Sequence, residues 1–215
     1  MTGIFGNSSR SNSVSDHSPF KQAVGIDDLA VYIPQLYLPL EGEFSRRREI
    51  DPGKLTRGIG IERMAIPDAH EDAATMAAMS LLELMRRCDL LPEDIGKIHV
   101  GTESAVDEAK AIGTYVIGML EKVYGPGSFQ HCSTVEFKSA CIGTTLALES
   151  ISYWVAADEG ERVGVVIASD VAKYPLGSSG EYTQGAGSVS LLVKKNPRIA
   201  ALEQIYGCFT RDEND

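Results

Sequence analysis

The stretch Glu136-Phe137-Lys138-Ser139-Ala140-Cys141-Ile142-Gly143-Thr144-Thr145 decides how the rest of the chain reads. A short β-prone run, Thr134 to Lys138, leads into a cysteine, and the cysteine opens a long apolar pattern of helical period. That order sets a thiol where a strand ends and a helix begins. Unpaired backbone N–H groups and the positive end of the helix dipole favour a thiolate at such a place. On its own the segment supports two readings: a nucleophile, or a small buried hydrophobe of the kind most free cysteines are.

The segments around it repeat the strand-then-helix order. Downstream, Arg162 to Ser169 holds Val163, Val165, Val166 and Ile167 in a near-continuous run, as expected of a central strand buried on both faces. A polar, glycine-rich loop is expected over Asp170 to Gly187, then a strand over Ser188 to Val193, and one more over Ala200 to Tyr206. Upstream, Ile95 to Gly101 reads as a strand followed at once by Thr102-Glu103-Ser104, and a helix is expected from Asp107 to Val123, stopped by Tyr124-Gly125-Pro126-Gly127. Asp68 to Cys88 reads as an earlier helix, with Ala73, Met76, Ala77, Leu81, Leu84 and Met85 on one face. The run Ile26 to Ile33 is a strand ended by Pro34. The helix from Cys141 to Ala157 is apolar nearly all round, which predicts burial. The order β-α-β-α-β-α-β-β implies a mostly parallel, layered α/β unit.

Residues 1 to 23 are rich in Ser, Asn and Gly without hydrophobic period, and read as a disordered extension to an ordered unit over 24 to 215. A net charge of −10 and a pI near 4.9 argue against nucleic-acid binding and against an anionic membrane surface. No run of 18 apolar residues exists and no signal peptide is evident, so a cytoplasmic protein is expected. Cys88, Cys132, Cys141 and Cys208 show neither a CxxC pair nor zinc spacing, which fits a reducing compartment and no metal site.

Ligands of open α/β sheets gather outside the carboxyl ends of strands, where Glu103, Cys141 and Asp170 all fall. Glu103 and Cys141 would supply a general acid or base and a nucleophile to one pocket, while Asp170 is expected to hold loop backbone. Thr183-Gln184-Gly185-Ala186-Gly187 lacks the lysine of a phosphate-binding loop and reads as a tight turn with positive φ angles. Arg46-Arg47-Arg48 is either a solvated face or a clamp for phosphates of an anionic substrate. The four histidines complete no triad by position: His99 lies inside a strand run, and His131 sits beside Cys132.

Taken together, five ordered features resemble the hydroxymethylglutaryl-CoA synthase family of the thiolase-like superfamily. They are the opening strand from Gly25-Ile26-Asp27 to Tyr32-Ile33-Pro34, Asp51-Pro52 with the Gly58-Ile59-Gly60 turn, Thr102-Glu103-Ser104 with Asp107 and Lys110, Glu136-Phe137-Lys138-Ser139-Ala140-Cys141, and the loop from Asp170 to Gly187. The resemblance implies one βαβαβαββ half of a thiolase-like fold. It implies that Cys141 is acylated by acetyl-CoA, with its N–H in the oxyanion hole, and that Glu103 takes a proton from the acetyl methyl. The product carbanion equivalent adds to acetoacetyl-CoA. Asp51, Tyr174 and Thr183 match the family's substrate contacts. Coenzyme A thioesters are substrates, no cofactor is implied, and the place is isoprenoid biosynthesis through mevalonate.

Tyr182 stands where the family has proline, and Glu41 to Asp51 is a looser match. The family's catalytic histidine belongs to a second half that this chain lacks. The chain is then the amino-terminal subunit of a split synthase partnered by a polypeptide with the missing half, an inactive truncated product, or a non-catalytic CoA-binding subunit in an oligomer. A branching enzyme acting on carrier-bound β-ketoacyl chains is an open alternative for the acceptor.

Overall fold

Side chains alternate along a strand, and a run of valines and isoleucines must therefore find cover on both sides. Val163, Val165 and Ile167 enter one core with two helices, while Val166 enters another with a single helix. Each such side chain contributes about 1.5–3 kcal/mol on full burial, so this strand sits at the centre of the sheet. The computed structural model describes residues 22–203 together with Gly207, Phe209 and Arg211. Residues 1–21 of the expected 1–23 extension, the end of the expected last strand and Cys208 lie outside the described residues.

The main sheet has six strands in the order β5-β4-β6-β7-β1-β8. They are β1 (Val24–Tyr32), β4 (Ile95–Gly101), β5 (Ser133–Phe137), β6 (Val163–Ala172), β7 (Gly185–Lys195) and the two-residue β8 (Ala200–Ala201). β4 is parallel to β5 and β6, whereas β7 is antiparallel to β6 and to β1, so β5, β4, β6 and β1 share one direction. A separate hairpin, β2 (Leu36–Pro39) with β3 (Arg63–Ile66), brackets the single helical turn α1 (Ser45–Arg47). The α/β, mostly parallel reading holds; this hairpin was absent from it because four-residue strands carry little periodic signal.

α2 (Ala73–Arg87) and α3 (Ile112–Tyr124) cover one face. α2 starts at Ala73 and not at Asp68, because Asp72 caps it: its carboxylate accepts from Thr75 N while Thr75 Oγ1 accepts from Asp72 N, satisfying two orphan donors. α3 likewise begins at Ile112, later than the expected Asp107, because the Asp107 carboxylate accepts from Ala109 N and Lys110 N and folds that segment into a loop.

α4 (Gly143–Ala157) covers the other face, and here the expectation of full burial fails. Gly143, Ala147, Ile151, Ser152 and Val155 are buried against the sheet, but Leu146, Leu148 and Trp154 are half-buried and Tyr153 is exposed. On the same side of the sheet Val31 is 48% exposed. One helix cannot cover a face that its own outer surface extends.

The expected loop over Asp170 to Gly187 is shorter. β6 runs through Ala172, and Gly185, Ala186 and Gly187 pair with Ala172, Val171 and Asp170. Neither Gly185 nor Gly187 has positive φ, so the tight-turn reading of those glycines is replaced by a strand. What remains, residues 173–184, is the loop that matters for the site.

Candidate active site

β4 pairs with both β5 and β6 in parallel, with Gly101 opposite Phe137 on one side and Ala168 on the other. The carboxyl ends of the three strands therefore stand side by side. Glu103 lies just past β4, Cys141 just past β5, and Asp170 near the end of β6, as the sequence implied.

Two glycines let α4 press against these strand ends. A Cβ on Gly101 would stand 2.3 Å from Thr144 N, and one on Gly143 would stand 2.6 Å from the Phe137 carbonyl oxygen. Both obstacles are backbone, so neither can swing away. Gly143→Ala should cost about 1–3 kcal/mol by overpacking and lower the melting temperature by roughly 2–12 °C for a domain of this size. A thermal melt equal to that of the parent would contradict the close approach.

The helix does not open at Cys141 itself. Ala140 to Ile142 form a 3₁₀ turn ahead of α4, and Ala140 has φ +44°. The left-handed conformation costs an alanine about 1–2 kcal/mol, and strain of this kind gathers at functional sites. The turn carries Cys141 to the surface, where its thiol is exposed. Cys141 therefore fills no space in this chain's own core, contrary to the buried-hydrophobe reading.

Asp170 is the node that shapes the Glu103 side. Its Oδ1 accepts from Thr102 Oγ1 and Glu103 N at 2.8 Å, from Ser104 Oγ at 2.8 Å, and from Ser104 N at 3.2 Å. Ser104 Oγ in turn accepts from Val171 N at 2.8 Å. The backbone that presents Glu103 is thereby tied to β6, which is the structural role expected of Asp170. From the loop after β6, the Tyr174 hydroxyl donates to Glu103 Oε1 at 3.4 Å. The Tyr174 phenol is raised above its ordinary value, first by the negative charge of Glu103, then by desolvation and by the nearby Cys141. Tyr174 contacts Glu103 directly, and the strand pairing sets Cys141 at the neighbouring strand end.

The Glu136 and Lys138 side chains tie β5 to the segment that follows Glu103. Glu136 Oε2 accepts from Ile112 N at 2.6 Å, capping α3 from another element, and Lys138 Nζ donates to the Asp107 carbonyl at 2.9 Å. The two charged members of the motif before Cys141 therefore hold the segment 107–112 that follows the Glu103 turn. Sequence reading flagged the motif but not this function, since the partners are more than twenty residues away in sequence.

Asp51 and Thr183 are exposed. Asp51 Oδ1 accepts from Gly53 N and Thr183 Oγ1 donates to the Gly180 carbonyl, and no hydrogen bond among the described residues joins either to Cys141 or Glu103. The arginine triplet divides. Arg46 and Arg47 pair with Glu43 on an exposed face, while Arg48 makes a two-pronged ion pair with buried Glu181. Sequence reading missed Glu181, whose burial has no local signature. A cleft of about 690 Å³ lies next to that pair, between the β2–β3 hairpin and residues 171–185, and contains neither Cys141 nor Glu103.

Among the described residues neither of the histidines singled out in the sequence joins this site. His99 is buried in β4, and burial, followed by the Lys97 charge, pushes it down to about 4, which keeps it neutral. His131 is exposed at the opposite end of the sheet. Among the described residues no group of three His, Cys, Asp or Glu side chains is placed to hold a metal ion.

Comparison with known proteins identifies the family. Residues 20–198 match the family model described as hydroxymethylglutaryl-coenzyme A synthase N terminal. The chain is 41% identical over 194 residues to hydroxymethylglutaryl-CoA synthase of Haloferax volcanii, covering 90% of this chain and 43% of that protein. It is 36% identical to the enzyme of Enterococcus faecalis, covering 89% of this chain and 48% of that one. A solved structure of MvaS in complex with 3-hydroxy-3-methylglutaryl coenzyme A superposes with a TM-score of 0.73 at 37% identity, over 82% of this chain and 41% of that one. The HMG synthase of the curacin biosynthetic pathway, in complex with holo donor-ACP, gives 0.73 at 25% identity, over 89% and 47%. The chain spans less than half the length of these relatives. It has the thiolase-like fold they share, and by sequence and structure together it belongs to the hydroxymethylglutaryl-CoA synthase family, of which it carries the N-terminal part.

Proposed function

We propose that this chain is the nucleophile-bearing half of a hydroxymethylglutaryl-CoA synthase. The observation that carries the proposal is the surface-presented Cys141 at the end of β5, beside Glu103 and Tyr174 at the ends of the neighbouring strands. The Cys141 thiolate attacks the carbonyl of acetyl-CoA and expels coenzyme A, leaving an acetyl thioester. Glu103 takes a proton from the acetyl methyl group. The enolate carbon bonds to the ketone carbon of acetoacetyl-CoA, and the alkoxide formed is protonated. Water then cleaves the cysteine thioester, releasing 3-hydroxy-3-methylglutaryl-CoA and the free thiol. Every step uses CoA thioesters and side chains, without a cofactor.

Free CoA thioesters are preferred over carrier-bound chains because the synthases of Haloferax volcanii and Enterococcus faecalis and the MvaS structure with its CoA thioester are 36–41% identical, against 25% for the curacin enzyme. No helix among the described residues is long and apolar enough to cross a membrane, and one relative, from Gallus gallus, is named cytoplasmic. A cytoplasmic setting is part of the proposal.

The apolar side of α4 and the sheet supports the need for a complementary half. Ile142 is 56% exposed beside Cys141, and Leu29, Val31 and Tyr153 are exposed on the same side. At about 25 cal/mol per Å², covering such a face stabilises the assembly, and it would also enclose Glu103 and Cys141 away from water. The test is to mix this chain with a C-terminal half of a synthase, produced separately, and follow coenzyme A release from acetyl-CoA and acetoacetyl-CoA. Condensation by the mixture and by neither half alone is expected. A mixture that associates yet leaves both thioesters unconsumed would favour a non-catalytic subunit instead.

A further inference from the structure

The loop of residues 173–184 delivers Tyr174 to Glu103, yet before its short 3₁₀ turn (Glu181–Thr183) it has no regular structure to hold it. It is held by specific contacts. Tyr174 N donates to Gln184 Oε1 at 2.9 Å, which closes the loop across its base. The Tyr174 ring lies over Gly180, where a Cβ would stand 3.1 Å from the ring. Gly177 N donates to Glu181 Oε2 at 2.7 Å. Tyr182, in place of the expected proline, packs on the small core of Leu40, Phe44, Leu55 and Met64.

The charged contact of this set joins the loop to a different part of the chain. Arg48 Nε donates to Glu181 Oε2 at 2.8 Å and Arg48 Nη2 to Glu181 Oε1 at 2.6 Å, with the Glu181 side chain 3% exposed and that of Arg48 29%. The guanidinium also stands 5.8 Å from the Phe44 ring centroid, so its approach is set from behind. A two-pronged guanidinium–carboxylate pair fixes angle as well as distance, which a lysine ammonium cannot do. Its consequence reaches the site through a short path. Glu181 accepts from Gly177 and precedes the Gln184 that fastens Tyr174, so the carboxylate sets both arms of the loop on which the Tyr174 ring rests.

We propose that Arg48 is a positioning residue of this site: through Glu181 it sets the 173–184 loop so that the Tyr174 hydroxyl rests on Glu103. Arg48 touches neither Glu103, Tyr174 nor Cys141 among the described contacts. The inference rests on the reading of Glu103 as the group that takes the acetyl proton. The Nε–Nη2 edge of the Arg48 guanidinium is committed to Glu181, so that edge serves the loop and not a substrate phosphate.

The test uses Arg48→Lys and Glu181→Gln in the full chain. Hydrogen–deuterium exchange on the chain alone reads the loop directly: amides of 174–184 should exchange at least about tenfold faster in both variants, with α2 unchanged. Paired with the C-terminal half, the variants should accept acetyl on Cys141 within about twofold of the parent while condensation falls about tenfold to a hundredfold, the scale of a small misplacement. Tyr174→Phe added to Arg48→Lys should lower condensation little further, since both act on one contact. Unchanged loop exchange overturns the proposal, as do multiplicative losses in the double variant or equal losses in acetylation and condensation. If the parent pair itself neither acetylates Cys141 nor condenses, the synthase reading fails, and the exchange measurement still decides whether Arg48 holds the loop.

Discussion

Cys141→Ala should leave the chain folded and unable to take up an acetyl group. Incubation of the parent with acetyl-CoA, followed by intact-mass and peptide mass spectrometry, is expected to place one acetyl on Cys141, and the variant should show none. Folding should survive because the thiol is exposed and fills no core space, so the variant removes little buried area. Selectivity should be high because the other described thiols are poor nucleophiles. Burial pushes Cys132 up to about 12, which keeps it as the thiol at neutral pH. Cys88 is also raised, by burial first and then by the Asp28 charge, and it lies at the opposite end of β1 from the site. Cys141 alone among them combines surface access with a place in the turn that leads into α4. Acetylation that persists undiminished in Cys141→Ala would remove the nucleophile assignment and with it the proposed reaction.

What could be read from the residues, and what could not, follows the range of the interactions. The β6 run, the apolar stripe of α2 and the stop at Gly125 are local patterns, and they appear where expected. Cys141 and Glu103 were placed near one another because strand ends of parallel neighbours align, a consequence of topology. Boundaries moved where a side chain overrode propensity. The Asp107 carboxylate turned the start of a predicted helix into a loop, and Asp72 delayed α2. The expectation of a fully buried α4 failed for a different reason: apolar composition shows that a helix face seeks cover but not whether this chain supplies it. The Arg48–Glu181 pair was out of reach altogether. Its members are 133 residues apart, and a buried glutamate in a loop looks the same in sequence as a solvated one.

Glu103→Gln should separate the two halves of the reaction. The substitution keeps the size of the side chain and leaves the backbone contact of Glu103 N to Asp170 Oδ1 undisturbed. The amide oxygen can still accept from the Tyr174 hydroxyl, so the loop has reason to stay in place. What is lost is the group able to take a proton. Attack of the Cys141 thiolate on acetyl-CoA does not need that group, and acetyl-enzyme should form at close to the parental rate. Removal of the methyl proton does need it, and loss of a positioned general base costs about 10²–10⁴-fold. In the paired enzyme, condensation should fall by that factor, and exchange of acetyl-methyl hydrogens with D₂O on the acetylated cysteine should fall with it. Tyr174→Phe should give a smaller loss in the same two readouts, because it removes a partner of the carboxylate and not the carboxylate. If Glu103→Gln condenses at the parental rate, the proton goes elsewhere; if it loses acetylation and condensation equally, the substitution has disturbed the turn that presents Cys141.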